Sequence, residues 1–405
     1  MVAIIGAGAS GLVAAIVSAK NGSKVHVYEK NSKIGKKILI TGNGRCNVTN
    51  KHMELSNYHG LNPSFVNSSL NFFNVSTCKA FFLELGVELV EGRRGRLYPR
   101  SLKSSSVVDL LVHECRRLHV EFFLKHEVKS VDKKDSSFVL HVNHKFLHVK
   151  KVLIATGGLS MLTLSSRDSG YELAKHFGHT IIPTHPSLVQ LISQENLKAI
   201  SGVKIKGSIE VFENSKSKIF AHGDILFTDY GISGSAVLDI SRVVSYSLLY
   251  KKVLHVKIDL FFEYSKEQLK NLLKKRQLHA NGKSVTLWLD GLIDPKLAYF
   301  IAKSLHVHVK KADDLNSKEL TKLVYALKNL TLHVVDTKGF KTAEVTAGGV
   351  NTLEIDSQTM ESKLQQGLFF SGEVVDIDAN CGGYNLHWAW ASGVCAGKSM
   401  SEMQV

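Results

Sequence analysis

The residues best placed to do chemistry are three glycines near the start of the chain. Gly6, Gly8 and Gly11 stand in Gly6-Ala7-Gly8-Ala9-Ser10-Gly11, a G-x-G-x-x-G. Each spacing serves a dinucleotide: Gly6 for a tight turn, Gly8 for approach of a pyrophosphate to the backbone, Gly11 for close packing of helix on strand. Ala9 and Ser10 would open a helix whose free N–H groups and positive dipole end face the phosphates. Glu29 lies 18 residues beyond Gly11, where a carboxylate accepts from ribose hydroxyls and repels a 2′-phosphate. The motif alone is a weak signal, so its flanks decide. Val2, Ala3, Ile4 and Ile5 make a short apolar run before it. Leu12, Val13, Ile16, Val17 and Ala19 then recur at helical spacing, and Asn21-Gly22 ends them. Val25, Val27 and Tyr28 alternate with Lys24 and His26 up to Glu29. The pattern predicts one β-α-β unit that binds a dinucleotide.

Three further stretches carry ligand-binding chemistry. Residues 35–50, with Lys37, Arg45, Cys46 and Asn47, combine glycines, hydroxyls, amides and cations around Ile38-Leu39-Ile40, which suits a cofactor-facing loop better than a linker. An apolar strand at 151–155 ends in Thr156-Gly157-Gly158, the binding edge of an open α/β sheet. Leu368-Phe369-Phe370 leads to Glu373, and Gly382-Gly383-Tyr384-Asn385 precedes a small-residue helix at about 386–400. A carboxylate beyond a strand can take ribitol hydroxyls, and a helix N-terminus can stabilise the negative charge of a reduced flavin. This second part of the site favours FAD over NAD as the dinucleotide. Gly382-Gly383 is expected to let the chain approach the ligand.

These residues need elements to position them. Helices are expected over 64–91, 104–118 and 169–178. Strands at 120–124, 128–131 and 138–142 suggest a small antiparallel meander; His141, His144 and His148 there read as surface residues rather than metal ligands. Residues 181–260 show short strands, and 261–333 turns helical, before α/β character returns. The expected order is a first FAD-binding segment (1–184), an inserted β-barrel-like domain (185–260), a helical part (261–335) and a second FAD-binding segment (336–405).

Composition sets outer bounds. A chain of 405 residues with 44% hydrophobic content suits two or three globular domains. No apolar run approaches the roughly 18 residues of a membrane span, and the N-terminus has no basic region of a signal peptide. Cys46, Cys78, Cys115, Cys381 and Cys395 form no C-x-x-C, so neither a metal site nor a dithiol is expected, and a reducing cytoplasm is. The net charge of +15 is spread along the chain; its densest cluster, Arg93-Arg94-Gly95-Arg96-Leu97-Tyr98-Pro99-Arg100, is short. A small molecule is therefore the expected partner rather than nucleic acid.

The motifs together resemble the BaiN-like (YhiN-type) FAD/NAD(P)-dependent oxidoreductases over essentially the whole chain. The resemblance is carried by the first glycine loop, Gly35-Lys36-Lys37, Thr41 to Asn50, Gly95-Arg96-Leu97-Tyr98-Pro99, Ala155-Thr156-Gly157-Gly158, Leu226 to Gly234, Gly372-Glu373 and Gly383-Tyr384-Asn385. Ser235 in place of a proline, and Pro186-Ser187-Leu188-Val189-Gln190-Leu191, depart from the family pattern in the insertion only. The resemblance implies a Rossmann-type FAD domain in two segments and a flavoprotein of mostly unassigned substrate. It implies pyrophosphate contacts from Ser10 and Gly11, ribose contacts from Glu29, and Lys30 and Lys37 near the same edge. Arg45, Cys46 and Asn47 would flank pyrophosphate and flavin, and Val128 would offer its backbone to adenine. Glu373 and Asp378 would take ribitol or phosphate-side groups, and Gly383, Tyr384 and Asn385 the isoalloxazine edge.

The function expected is hydride transfer from NADH or NADPH to flavin and on to an organic acceptor. No second glycine motif supplies a nicotinamide domain, so the reductant would bind transiently. No catalytic acid or base is identifiable; Arg96, Tyr98 and His387 are candidate substrate-side groups, with surface or packing roles open, and Trp388 and Trp390 read as core. Two alternatives stand: a flavin-dependent RNA-modifying enzyme, which would use the positive charge, and a non-catalytic FAD-binding redox sensor. Oligomeric state is not readable.

Overall fold

A computed structural model describes residues 1–161 and 169–401. The chain divides into two compact units, Met1–Pro186 with Glu344–Val405, and Ser187–Ala343.

The first unit is built on a parallel sheet. Its strands are β1 (Val2–Ile5), β2 (Val25–Glu29), β3 (Glu121–Leu124), β4 (Lys151–Ile154) and β5 (Leu368–Phe370), in the order β5-β4-β1-β2-β3. All four neighbouring pairs are parallel. β1 is central and buried at every position, as a strand covered on both faces must be. Helix α1 (Ala9–Lys20) follows, with Leu12, Val13, Ala14, Ala15 and Ile16 buried. The closing helix, Tyr384–Ser401, packs on α1. A Cβ at Gly393 would lie 2.5 Å from the Ser10 carbonyl oxygen, and one at Gly397 2.6 Å from that of Ala14. Two glycines thus bring the backbones of the first and last helices together.

Three expectations change. The strand at 120–124 leaves the meander and pairs with β2; the meander is Val128–Lys134, Ser137–Val142 and Lys145–Val149. An apolar run such as Phe122-Phe123 suits either partner, and only tertiary packing chooses. The helix expected over 64–91 is two helices, Val66–Phe72 and Val75–Glu84, followed by a strand, Leu89–Glu91. Asn74 starts the second helix, its side chain accepting from the N–H groups of Ser76 and Thr77. The third change concerns the second unit.

That unit holds a closed antiparallel barrel: Leu191–Ser193, Gly231–Ser233, Lys216–Phe227, Lys204–Glu213, Leu254–Asp259 and Leu330–Thr337, the last pairing back with the first. The expected split between 185–260 and 261–335 therefore cuts the barrel, because its closing strand follows the helices. Leu332 and Val334 are buried while His333 and Val335 are exposed, the alternation of a barrel strand. Helices Lys266–Gln277, Val285–Leu289, Pro295–Ser304 and Ser317–Lys328 occupy the intervening chain. Among the described residues no helix is long and apolar enough to cross a membrane, and no group of three or more His, Cys, Asp or Glu could hold a metal. His141 stacks on Phe146 at 4.8 Å, and His144 and His148 are exposed.

Candidate flavin site

The first glycine loop separates its tasks. Gly6 has φ +110°, and a Cβ there would lie 2.4 Å from the Ala155 carbonyl oxygen. One at Gly11 would lie 2.1 Å from the Gly6 carbonyl oxygen. At Gly8 a Cβ would meet nothing within 4 Å. Gly6 and Gly11 therefore serve packing, while Gly8 borders open space. Gly8 is also the N-cap of α1, with no side chain capping the helix. An uncapped helix end beside open space has the chemistry to take a phosphate.

Glu29 ends β2. Its carboxylate accepts from the Ala7 N–H at 3.0 Å and from the Asn31 N–H and side-chain amide at 2.8 and 2.7 Å. The acid thus sits against the glycine loop, with Lys30 half-buried next to it. The backbone N–H of His126 donates to the Glu29 carbonyl at 3.0 Å, and that of Lys125 to the Asn31 carbonyl at 3.1 Å. These bonds bring buried Val128 to the same edge.

Glu373 is held by donors from three other parts of the chain. Lys37 Nζ donates to it at 2.6 Å, Ser160 Oγ at 2.9 Å, the Thr346 N–H at 2.7 Å and the Gly158 N–H at 3.3 Å. A carboxylate has about four lone-pair directions, and all four are engaged. Burial raises its pKa, but the Lys37 charge and the donated hydrogen bonds outweigh this and hold the carboxyl below its ordinary value. Glu373 ties four chain segments together. Thr346 Oγ1 adds a second knot, accepting from the N–H groups of Leu159 and Ser160, both at 2.8 Å. A Cβ at Gly158 would meet that hydroxyl at 2.5 Å, and Gly157 has φ +73°. Thr156 is half-buried, and a Cβ at Gly170 would lie 2.0 Å from its Oγ1.

The C-terminal glycines also turn toward protein. A Cβ at Gly383, where φ is +97°, would lie 2.8 Å from the Thr49 carbonyl oxygen and 2.9 Å from Asn47 Oδ1. Asn50 donates to the Gly382 carbonyl at 2.9 Å. Asn385 accepts from the Ala379 N–H at 2.9 Å and donates to the Ala379 carbonyl at 2.8 Å, so its amide is spent on the preceding loop. Asp378 is buried, and Tyr384 packs edge-on against Tyr58.

His387 is fully buried, which removes it from the substrate-side candidates. Its Nε2 donates to the Phe73 carbonyl at 2.8 Å, so Nδ1 accepts from the Thr49 hydroxyl at 2.8 Å. Burial lowers its pKa to about 4, and it stays neutral. Trp388 and Trp390 are core, as expected, donating to the Gly372 and Val48 carbonyls. Cys46 is buried with its thiol pushed up to about 12 by burial, a packing group. Arg45 is exposed and lies 5.4 Å from the Tyr98 ring centroid. Arg96 points Nη2 at Cys381 Sγ, 3.6 Å away.

Among the described residues of this region, Asn47 Oδ1 and Ser371 Oγ are buried without a hydrogen-bond partner. Asn47 is 8% exposed, and its Oδ1 is buried without a donor. A flavin ring N–H is such a donor. With the open side of Gly8 and the uncapped α1, the residues present fit an FAD. Ser160 and Thr346 are not among the expected site residues, and Asn50 is included only as the end of the 35–50 loop; their signal in the sequence is a place beside glycine-rich turns.

A 3-dehydro-bile acid delta(4,6)-reductase from Clostridium scindens is 35% identical over 99% of both chains. A ribosomal RNA dihydrouridine synthase from Escherichia coli is 35% identical over 96% of this chain and 95% of that one. Its namesake from Haemophilus influenzae is 34% identical over 98% of both. Among solved structures, a 3-ketosteroid-delta4-(5alpha)-dehydrogenase from Rhodococcus jostii shares the fold, with a TM-score of 0.50 at 14% identity over 99% of this chain and 96% of that one. The family described as HI0933-like protein Rossmann domain matches residues 1–399, and the chain belongs to it.

Proposed function

We propose that this protein is an FAD-dependent reductase that takes hydride from NADH or NADPH and delivers it to a carbon–carbon double bond in an organic acceptor. The observation that carries the reading is the cradle at Gly8: an uncapped helix N-terminus facing open space, with Glu29 beside it. When bound, the flavin would supply hydride transfer at N5. Gly8, Ala9, Ser10 and Gly11 would hold the pyrophosphate by backbone N–H groups, and Glu29 the adenosine ribose. Asn47 would accept from the flavin ring, and the N-terminal end of the closing helix would favour negative charge there. Lys37 and Glu373 would fix the walls that carry these groups.

The names of the relatives support a double-bond acceptor, since a delta(4,6)-reductase and a dihydrouridine synthase both add hydrogen across one. A second reading makes that acceptor a uridine of ribosomal RNA. The net charge of +15 and the two relatives of that name favour it, against the small-molecule expectation. The test is to purify the protein, record the flavin band, and add NADH or NADPH under nitrogen. Bleaching of the band is expected, and a protein that cannot be loaded with FAD would sink the proposal. Reoxidation by ribosomal RNA, with dihydrouridine as product, would select the second reading.

A further inference from the structure

The helical part of the second unit holds a cluster of residues that the proposed flavin site does not use. A cavity of about 560 Å³ lies there, lined by Lys275, Arg276, His279, Lys283, Trp288 and Gly291 among others, and no carboxylate lines it. A volume in this range takes a ligand of nucleotide size rather than a water or two. Its apolar rim is Leu278 and Leu287, which are 80% and 56% exposed.

Two side chains give the cavity its chemistry. Arg276 Nη2 donates to the Trp288 carbonyl at 2.6 Å, and the guanidinium carbon stands 5.5 Å from the Trp288 ring centroid. That bond fixes the guanidinium in one orientation. Its Nη1 is buried with no acceptor. Trp288 is 2% exposed, and its indole N–H is likewise buried with no acceptor. Among the described residues Arg276 makes no ion pair, and burial alone pulls its pKa down. Two residues of this cationic wall thus each carry a buried, orphaned donor, which is costly unless an acceptor meets it. Gly291 keeps the approach clear, since a Cβ there would lie 3.1 Å from Arg276 Nη2. The surroundings share the sign: helix Lys266–Gln277 carries Lys266, Lys270, Lys274, Lys275 and Arg276 against the single acid Glu267. Of the nearby carboxylates, Asp313 accepts from the Gly282 N–H at 2.8 Å, and Asp290, which does not line the cavity, keeps a buried Oδ1 with no donor.

We propose that this cavity is a phosphate-binding site, with Arg276 and the Trp288 indole N–H as the inner donors and Lys275 and Lys283 at the mouth. A guanidinium held by one edge presents the other to phosphate oxygens. The phosphate belongs either to an RNA backbone or to a free phosphorylated small molecule. The RNA source rests on the second reading of the acceptor; the site itself does not.

The experiment uses the full-length, FAD-loaded protein. Inorganic phosphate is titrated while tryptophan emission is followed in wild type and in Trp288→Phe, which leaves Trp388 and Trp390 as background. Emission of wild type alone should change. A ribosomal RNA transcript is then bound at several salt concentrations by wild type, Arg276→Gln and Lys283→Gln. Arg276→Gln should weaken binding about tenfold and lower the salt slope by about 1. Lys283 is exposed, so Lys283→Gln keeps the test alive if Arg276→Gln misfolds. A phosphate-dependent emission change in a wild type that binds no RNA upholds the site for a small phosphorylated ligand and ends the RNA reading. Silent emission, with both variants binding RNA as wild type does, overturns the site and leaves that reading standing.

Discussion

The glycines at the two ends of the flavin domain look alike in the sequence and do opposite things. At Gly8 a side chain would enter empty space; at Gly383 it would strike the Thr49 carbonyl. The first loop is held open by its neighbours Gly6 and Gly11, which take the close contacts. The second is closed on residues 47–50 and braced by Asn50, Asn385 and His387. One end of the domain is thus built to receive, and the other to hold the receiving wall still.

Substitutions at the two ends should behave differently. The largest stability effect should come from the closed end: Gly383→Ala combines positive φ with a 2.8 Å approach to backbone, and about 2–4 kcal/mol of destabilisation is expected in urea unfolding. Next is the pH response of His387. Its folded pKa, about 4, lies below the unfolded 6.5, so the unfolded state binds the extra proton. Stability is then full above pH 6.5 and falls as pH drops toward 4, by about 3 kcal/mol in all. His387→Gln should flatten that slope in unfolding curves taken across the range. Third, Lys37→Met removes the charge that keeps Glu373 ionised, and about 2 kcal/mol should be lost. Glu373→Gln in the same chain should recover part of it, and full additivity of the two would show that the pair is not coupled. The smallest stability effect belongs to the open end. Gly8→Ala should shift unfolding by less than about 0.5 kcal/mol, yet weaken FAD binding at least tenfold by equilibrium dialysis, as expected when a methyl occupies a phosphate's place. A Gly8→Ala protein that binds FAD normally would remove the distinction between the two ends.

What could be read from the sequence was what is locally encoded. The β-α-β unit was legible because strand, glycines, helix and acid fall within thirty residues, and each signal is a steric or hydrogen-bonding rule. The barrel's last strand was not, since Leu330 to Thr337 follows a helix directly and only its partners at 191–193 and 254–259 declare it. Glu373 shows the same limit in the site. Its carboxylate was legible as a functional group, but its donors come from positions 37, 158, 160 and 346. No spacing rule links such distant residues. Asn385 shows it again: its amide pins residue 379, and an amide that pins its own loop carries the same letter as one that meets a ligand.

The contact of the closing helix with α1 bears on how the chain reaches its native state. Gly393 and Gly397 seat against Ser10 and Ala14, some 380 residues earlier. During synthesis the first β-α-β unit emerges with that helix face uncovered, and it waits for nearly the whole chain before its partner arrives. Contacts of such sequence separation are slow to form and leave apolar surface open to aggregation in the meantime. Cofactor loading is therefore expected late, after the last helix has docked.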